Sequence, residues 1–259
     1  MEEVEVVTLK QVRLRNPVLV EGLPGIGQVG KLVADHLVAE LKAELVMEIY
    51  SPHFPPQVVV RPDGSVRLFK NEVYAWRRPN GKARGPGDLL VIAGDQQSTT
   101  NVGYYRLASA FVDIAARFGV KRIYTIGGCG VGKLNSKPAV VGAVSDPRLV
   151  EEMRQVGVEF RQKELGSGIV GASGLVLGLA ARRSIEAACL LGVTSGYMAD
   201  PRSAQAVLRV LSQVLDLQID FRALDARAKE VEGLLSRLKE MERGEGGDLP
   251  REEELRYIG

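Results

Sequence analysis

Short runs of consecutive apolar residues alternate along this chain with stretches whose apolar residues follow helical spacing. The clearest runs are residues 17–23, 88–94 and 186–193, and helical spacing is plainest at residues 31–42 and 104–118. A strand that is apolar at successive positions is buried on both faces, which is typical of a parallel sheet covered by helices. The alternation therefore predicts an α/β fold, a three-layer and mostly parallel sheet with helices on both faces.

Composition excludes several classes of protein. The 259 residues suffice for one large domain or two small ones, and 45% hydrophobic with 25% charged residues excludes a disordered or fibrous chain. The net charge of +2 supplies no strong field for nucleic acid or an anionic membrane. The longest apolar runs, residues 175–181 and 187–193, are far shorter than the ~20 residues that cross a bilayer. With an acidic N-terminus and two cysteines, we expect a soluble, cytoplasmic protein without nucleic-acid or membrane partners.

The chain changes character after residue 221. Residues 1–221 carry the alternating pattern and are predicted to form the α/β core domain. Residues 222–243 are dense in charge with apolar residues at three- and four-residue spacing, which predicts a C-terminal helix. Such a helix would cover the edge of a partner, so we expect a homo-oligomer. A glycine-rich break at residues 244–250 then predicts a flexible tail over residues 244–259.

The histidine count limits the chemistry available to the chain. Only His36 and His53 occur, so one chain cannot assemble a metal site from several histidines. A Ser-His-Asp or Cys-His arrangement would need one of these two. The commoner interpretation of each is a surface histidine or one whose hydrogen bonds are satisfied. We therefore predict no metal site, and the scarcity of histidine also argues against catalytic residues and enzymatic activity.

The sequence GIGQVG at residues 25–30 lies between a predicted strand and a predicted helix. In a dinucleotide-binding fold, glycines such as Gly25, Gly27 and Gly30 let the backbone approach a pyrophosphate, and Glu48 stands where an acidic residue would bind the ribose. The alternative is a tight turn that needs glycine for its backbone geometry and close packing. Pro24 at the strand exit favours that alternative.

Three further stretches resemble ligand loops less closely. Residues 127–133 imitate a phosphate loop, but Leu134 stands where that motif requires Ser or Thr, and a predicted strand follows instead of a helix. Residues 166–174 either cradle an anion or let a helix pack closely on the sheet. The polar residues 95–101 either contact a ligand or cap the next helix.

Several segments together resemble the proteasome assembly chaperone 2 family and its archaeal homologues, over about residues 15–235. They are residues 19–32, 54–64, 70–74, 88–97, 126–128, 171–179 and 189–192. The resemblance implies a core similar to nucleoside phosphorylases and hydrolases, without a catalytic site. It also implies oligomers that bind proteasome α subunits independently of ATP and without a cofactor. The resemblance also implies structural roles for five glycines of these loops, which are Gly25, Gly27, Gly30, Gly171 and Gly174.

The chain ends in a segment that the resemblance makes a candidate for partner binding. Relatives often end in a hydrophobic-Tyr-X tail that enters pockets between α subunits, and here Tyr257 stands third from the end, one place out of that register. We predict that Leu255, Tyr257, Ile258 and Gly259 dock into a cleft on a partner; the alternative is a tail packed on its own domain.

The alternative function is an enzyme acting on a nucleoside or sugar-phosphate through the glycine loops.

Overall fold

The computed structural model describes residues 3–79, 87–132, 138–161, 168–231 and 233. Its strands are β1 Glu5–Thr8, β2 Val18–Gly22, β3 Glu44–Tyr50, β4 Val58–Val60, β5 Val66–Leu68, β6 Asn71–Trp76, β7 Leu89–Gly94, β8 Arg122–Gly130, β9 Val140–Val144, β10 Val158–Glu159 and β11 Glu186–Thr194. Its helices are α1 Val29–Leu41, α2 Asn101–Arg117, α3 Leu149–Gln155, α4 Ala172–Arg182, α5 Pro201–Val214 and α6, residues 222–231. A 3₁₀ turn, Ile26–Gln28, precedes α1.

The helix starts follow from local capping. Thr100 accepts a hydrogen bond from the N–H of Gly103 at 3.1 Å and begins α2. Asp200 accepts from the N–H of Ser203 at 2.9 Å, and Pro201 occupies the first turn of α5, where its missing N–H leaves no gap. The start of α5 is the one that the Asp-Pro pair indicates.

The nine-stranded sheet is mixed, with the order β1-β3-β6-β7-β2-β8-β11-β9-β10. Its four central strands, β7, β2, β8 and β11, are parallel, whereas β1, β3, β6 and β7 pair antiparallel and β9 runs antiparallel to β11. The prediction of a mostly parallel sheet is therefore wrong. Parallel neighbours need a crossover, usually a helix, and the described residues between β3 and β7 contain none. The likeness to phosphorylases stays a prediction.

Helices cover both faces of the sheet. α2 and α4 pack on one face, burying Phe111 and Val176, and α1 and α5 pack on the other, burying Val33 and Leu208. Each such side chain contributes about 2 kcal/mol through removal from water. Among the residues that the structure describes, no helix has the length and apolar character needed to span a membrane.

α6 packs on its own core. Leu224 and Ala228 are each 2% exposed, and Leu224 lies against the layer formed by α1 and α5. These two apolar side chains are therefore not available to a partner, contrary to the role expected for the predicted helix 222–243. Their burial follows from the return of the chain to the sheet, where α1 and α5 leave an apolar surface. Residue 232 and residues 234–259 lie outside the described part, so the division into core, helix and tail stays a prediction.

Candidate functional site

The carboxyl ends of the central strands face a crevice formed by three loops. β2 leads through residues 23–28 to α1 on one face of the sheet, whereas β7 leads through residues 95–100 to α2 on the opposite face. Open α/β sheets place ligands where neighbouring strands diverge in this way. The loop before α4, residues 168–171, forms the third side.

Gln97 joins these three loops. Its Nε2 donates to the carbonyl oxygen of Pro24 at 2.6 Å, and its Oε1 accepts from the N–H of Ala172 at 3.0 Å. A Cβ atom added at Gly25 or Gly171 would lie 3.2 or 2.9 Å from this amide. The amide therefore holds the start of α4 against the turn after β2, and both glycines leave it room.

Charged and polar groups fix the loop that carries this glutamine. Asp95 accepts hydrogen bonds from the guanidinium of Arg67 and from the N–H of Lys70, the latter at 3.1 Å. The fully buried Asn71 directs its amide N–H group to the carbonyl oxygen of Gln96 at 3.0 Å. The polar stretch after β7 is thus anchored to β6 before it reaches the crevice.

Two glycines of the GIGQVG turn lie where the backbone comes very close to the sheet. Gly27 has a φ of 62°, and a Cβ there would lie 2.8 Å from Oγ1 of Thr194. A Cβ on Gly30 would lie 2.6 Å from the carbonyl oxygen of Ile126. The turn therefore packs directly on β8 and β11, which favours the structural interpretation of these glycines.

The acidic residue of the nucleotide interpretation is engaged elsewhere. Glu48 lies on β3, which β6 and β7 separate from β2. Its carboxylate pairs with Nζ of Lys70 at 2.5 Å and accepts from the hydroxyl of Tyr50 at 2.9 Å. Since a dinucleotide-binding fold places this acid on the strand beside the first one, the strand order contradicts the nucleotide interpretation.

The other glycine-rich stretches also lie against backbone. Gly171 precedes α4 with a φ of 100°, and a Cβ on Gly174 would lie 2.2 Å from the carbonyl oxygen of Ile169. Gly127 and Gly130 belong to β8, so the stretch that imitates a phosphate loop continues a strand. Its residues 133–137 lie outside the described residues.

A row of buried polar side chains crosses the central strands beneath α4. Glu21 on β2 is the cross-strand partner of Thr125 on β8, which is in turn the partner of Cys189 on β11, so the three share one face. The hydroxyl of Ser173, in the first turn of α4, lies 3.2 Å from Oε2 of Glu21. Burial raises the pKa of Glu21 to about 8 and that of Cys189 to about 12. Near pH 7 the neutral form of both groups therefore predominates.

Two cavities flank the turn at Gly25 and Ile26. One, of about 360 Å³, lies between this turn and the start of α4. The other, of about 560 Å³, lies toward Tyr197 and shares Gln97 and Tyr104 with the first. Within the described ranges, no group of three or more His, Cys, Asp or Glu side chains is placed to hold a metal ion.

Comparison with known proteins decides the family. A family model described as the PAC2 family matches residues 19–239. The chain belongs to the PAC2 family. The resemblance to proteasome assembly chaperone 2 proteins, predicted from the motifs, is thereby confirmed.

Relatives of this PAC2 protein cover nearly its full length. It is 40% identical over 250 residues to an uncharacterised protein of Methanocaldococcus jannaschii, which spans 95% of this chain and 93% of the relative. It is 39% identical to Pyrococcus furiosus PbaB, described as an archaeal proteasome activator, with a TM-score of 0.87 over 92% of this chain and all of the other. P. furiosus PbaA, described as an archaeal homologue of proteasome-assembly chaperone, shares the fold at 24% identity, a TM-score of 0.75 and 94% coverage of each chain.

Sequence reasoning assigned no individual role to three side chains of this PAC2 crevice, namely Glu21, Gln97 and Ser173, although the last two lie in the stretches 95–101 and 166–174 that it named as possible ligand loops. A glutamate inside the apolar run at residues 17–23 is a usable signal, because a lone carboxyl in a buried strand needs a partner. Neither of the other two shows such a signal, since each gains its role from contacts with distant loops.

The histidines of the PAC2 chain lie outside both cavities. Nε2 of His36 lies 2.7 Å from the carbonyl oxygen of Asp220, which ties α1 to the segment before α6. Nδ1 of His53 lies 2.9 Å from Oγ1 of Thr100, the cap of α2. The predicted partner-binding residues Leu255, Tyr257, Ile258 and Gly259 lie outside the described part of the chain.

Proposed function

We propose that this protein binds the proteasome and assists its assembly or activation without hydrolysing ATP. The observation that carries the proposal is membership of the PAC2 family together with the 39% identity and TM-score of 0.87 to PbaB. Fold alone does not carry function, but identity over nearly the whole chain extends beyond fold. The enzyme alternative is not favoured by these relatives.

The strand order and the packed glycine turn support independence from ATP. The turn at residues 25–30 lies against β8 and β11, and Glu48 is paired with Lys70. A nucleotide would have to displace both arrangements. The close packing of the turn thus supports independence from ATP, which the resemblance to this family also implies.

The proposed contact is the C-terminal segment with proteasome α subunits. Leu255, Tyr257 and Ile258 follow a glycine-rich break at residues 244–250. An aromatic anchor suits a concave pocket, and aromatic anchors carry much of the energy of such contacts.

Self-association remains part of the proposal, with a different surface from the one expected. The hairpin β4–β5 pairs Val58 with Leu68 and Val60 with Val66, and all four side chains are between 46% and 66% exposed. Exposed apolar faces of this kind mark interaction sites. Light scattering should return a mass above that of the monomer, and Val60→Lys should lower it; a monomer mass for the wild type contradicts self-association.

Tyr257→Ala tests the tail. A buried tyrosine anchor contributes ~2 kcal/mol or more, so binding to purified proteasome, measured by surface plasmon resonance, should weaken by roughly thirtyfold. Tyr105→Ala is the matched control, because Tyr105 is exposed on α2 and should leave binding unchanged. If deletion of residues 255–259 lowers the melting temperature while binding survives, the tail is a structural cap.

Two assays distinguish assembly from activation, the two roles named in the descriptions of PbaA and PbaB. An activator increases peptide hydrolysis by mature proteasome. An assembly chaperone increases the rate at which separate subunits form particles and leaves the mature particle unchanged. No effect in either assay, together with no binding, contradicts the proposed function.

A further inference from the structure

The smaller cavity beside α4 combines apolar walls with a polar floor. Its volume is about 360 Å³, and its walls include Leu23, Tyr104, Ile169 and Leu191. The hydroxyl-bearing Ser173 and the glycine backbone of β8 complete the lining. No charged side chain lines it among the residues that the structure describes.

The start of α4 lines this cavity with Gly171 and Ser173. Gly171 stands at the N-cap position, so no side chain there caps the helix. The N–H of Ala172 donates to Gln97, but the N–H of Ser173 has no partner among the described residues. A helix N-terminus with a free N–H attracts negative charge.

Glu21 supplies a second and independent feature beneath the same point. Its side chain is fully buried and directed at the first turn of α4, with Oε2 3.2 Å from Oγ of Ser173. Its Oε1 has no hydrogen-bonding partner among the described residues. A buried carboxyl left half-satisfied carries an energetic penalty, so its presence calls for an explanation such as a role in a binding site.

The single hydrogen of the Ser173 hydroxyl limits which hydrogen bonds it can donate. Oγ of Ser173 lies 3.2 Å from both Glu21 Oε2 and the carbonyl oxygen of Ile126, yet the hydroxyl has one hydrogen. The protonated carboxyl donates to Oγ, which frees the serine hydrogen for Ile126 or for an acceptor in the cavity. An ionised carboxylate would instead take that hydrogen and turn the lone pairs of Oγ toward the cavity.

We propose that this cavity binds a small monocarboxylate with an apolar body. The carboxylate accepts hydrogen bonds from the N–H and the hydroxyl of Ser173, and the apolar body lies between Tyr104, Ile169 and Leu191. Glu21 is a positioning residue, because it directs the serine hydrogen without touching the ligand. This site is independent of proteasome binding.

The described lining of the cavity contains no cation for a more highly charged anion. Phosphate and dicarboxylates carry more negative charge, and proteins bind them with Arg or Lys, which are absent from the described lining. One helix N-terminus with one hydroxyl matches a single negative charge. The apolar walls supply the remaining affinity by removing the body of the ligand from water.

Isothermal titration calorimetry of the full chain with benzoate and with 3-methylbutyrate tests the site. We expect saturable binding, and Ser173→Ala should weaken it tenfold or more because a charge-assisted hydrogen bond is lost. Ser109→Ala is the matched control and should change nothing, because Ser109 lies on α2 and does not line this cavity. Failure of both acids to saturate at millimolar concentration overturns the proposal, as does equal binding of inorganic phosphate.

The pH dependence tests the role of Glu21. From about pH 6 to about pH 9 the wild type should lose roughly tenfold in affinity, because only the protonated fraction binds well. Glu21→Gln donates permanently and should keep its affinity. The other titratable groups facing the site, Cys129, Cys189 and Tyr104, are the same in both proteins. Circular dichroism checks that both stay folded; equal pH dependence in the two proteins contradicts the role of Glu21.

Discussion

Two glutamates of the same sheet differ in what surrounds their carboxyl groups. Glu21 lies on a central strand, fully buried, and its described hydrogen-bonding partner is Ser173. Glu48 lies on β3 near the edge, where Lys70 and Tyr50 both donate to it. Burial raises the pKa of Glu21 to about 8, whereas the hydrogen bond from Lys70 lowers the pKa of Glu48. One side chain type is thus neutral in one place and charged in the other, because a cation faces only Glu48.

The two groups act on stability with opposite signs. A carboxyl whose folded pKa is raised contributes stability that is complete below the unfolded pKa and is lost as the pH rises through the folded one. A carboxyl whose folded pKa is lowered contributes stability above the unfolded pKa, and this is lost as the pH falls. Glu21 therefore weakens the fold toward alkaline pH, and Glu48 weakens it toward acid.

Glu21→Gln has the largest expected effect. The pKa of Glu21 rises from 4.5 to about 8 through burial, so the wild type loses ~1.4 kcal/mol of stability per pH unit between these values. Glutamine does not titrate. Relative to its value at acid pH, the free energy of unfolding of the variant should gain on the order of 5 kcal/mol over the wild type by about pH 8. Denaturant unfolding across the pH range measures this.

The shape of the two stability curves carries the test. Both proteins share every other titratable group, so their difference isolates Glu21. Parallel curves would show that the pKa of Glu21 is the same in the folded and unfolded protein, which contradicts the effect assigned to its burial.

Lys70→Met should convert the outer carboxylate into one that resembles the inner one. Lys70 pairs with both Glu48 and Glu72, which are cross-strand neighbours, and these side chains are 15–23% exposed. Without the ammonium group two like charges face each other. The free energy of unfolding at neutral pH should therefore fall by about 2 kcal/mol, a value between those typical of exposed and of buried ion pairs. The loss should shrink toward about pH 4 as the carboxylates take up protons.

The matched control is Lys10→Met, for which the smallest effect is expected. Lys10 pairs with Glu44 at the surface, where the two side chains are 54% and 44% exposed. Solvent screens such a pair, so thermal unfolding should change little at any pH. Equal losses in the two variants would mean that burial does not distinguish the two ion pairs.

Local patterns account for much of the fold. Apolar runs located β2, β7 and β11, and the Asp-Pro pair located the start of α5, because burial on both faces and helix capping leave their signature within a few neighbouring residues. The same local view failed for the sheet as a whole. A strand carries no record of its neighbour, so only the structure shows the antiparallel pairing of β3, β6 and β7, between which the described residues form no helix.

The sequence by itself determined the elements, the family motifs and the glycines on which the turns depend. Only the tertiary structure decided the crevice, since Gln97 meets Pro24 across 73 residues and Ser173 meets Glu21 across 152. The pKa of Glu21 shows the physical reason. A carboxyl is charged or neutral according to the groups and the solvent around it, and for a buried side chain those surroundings come from distant segments that the sheet brings together.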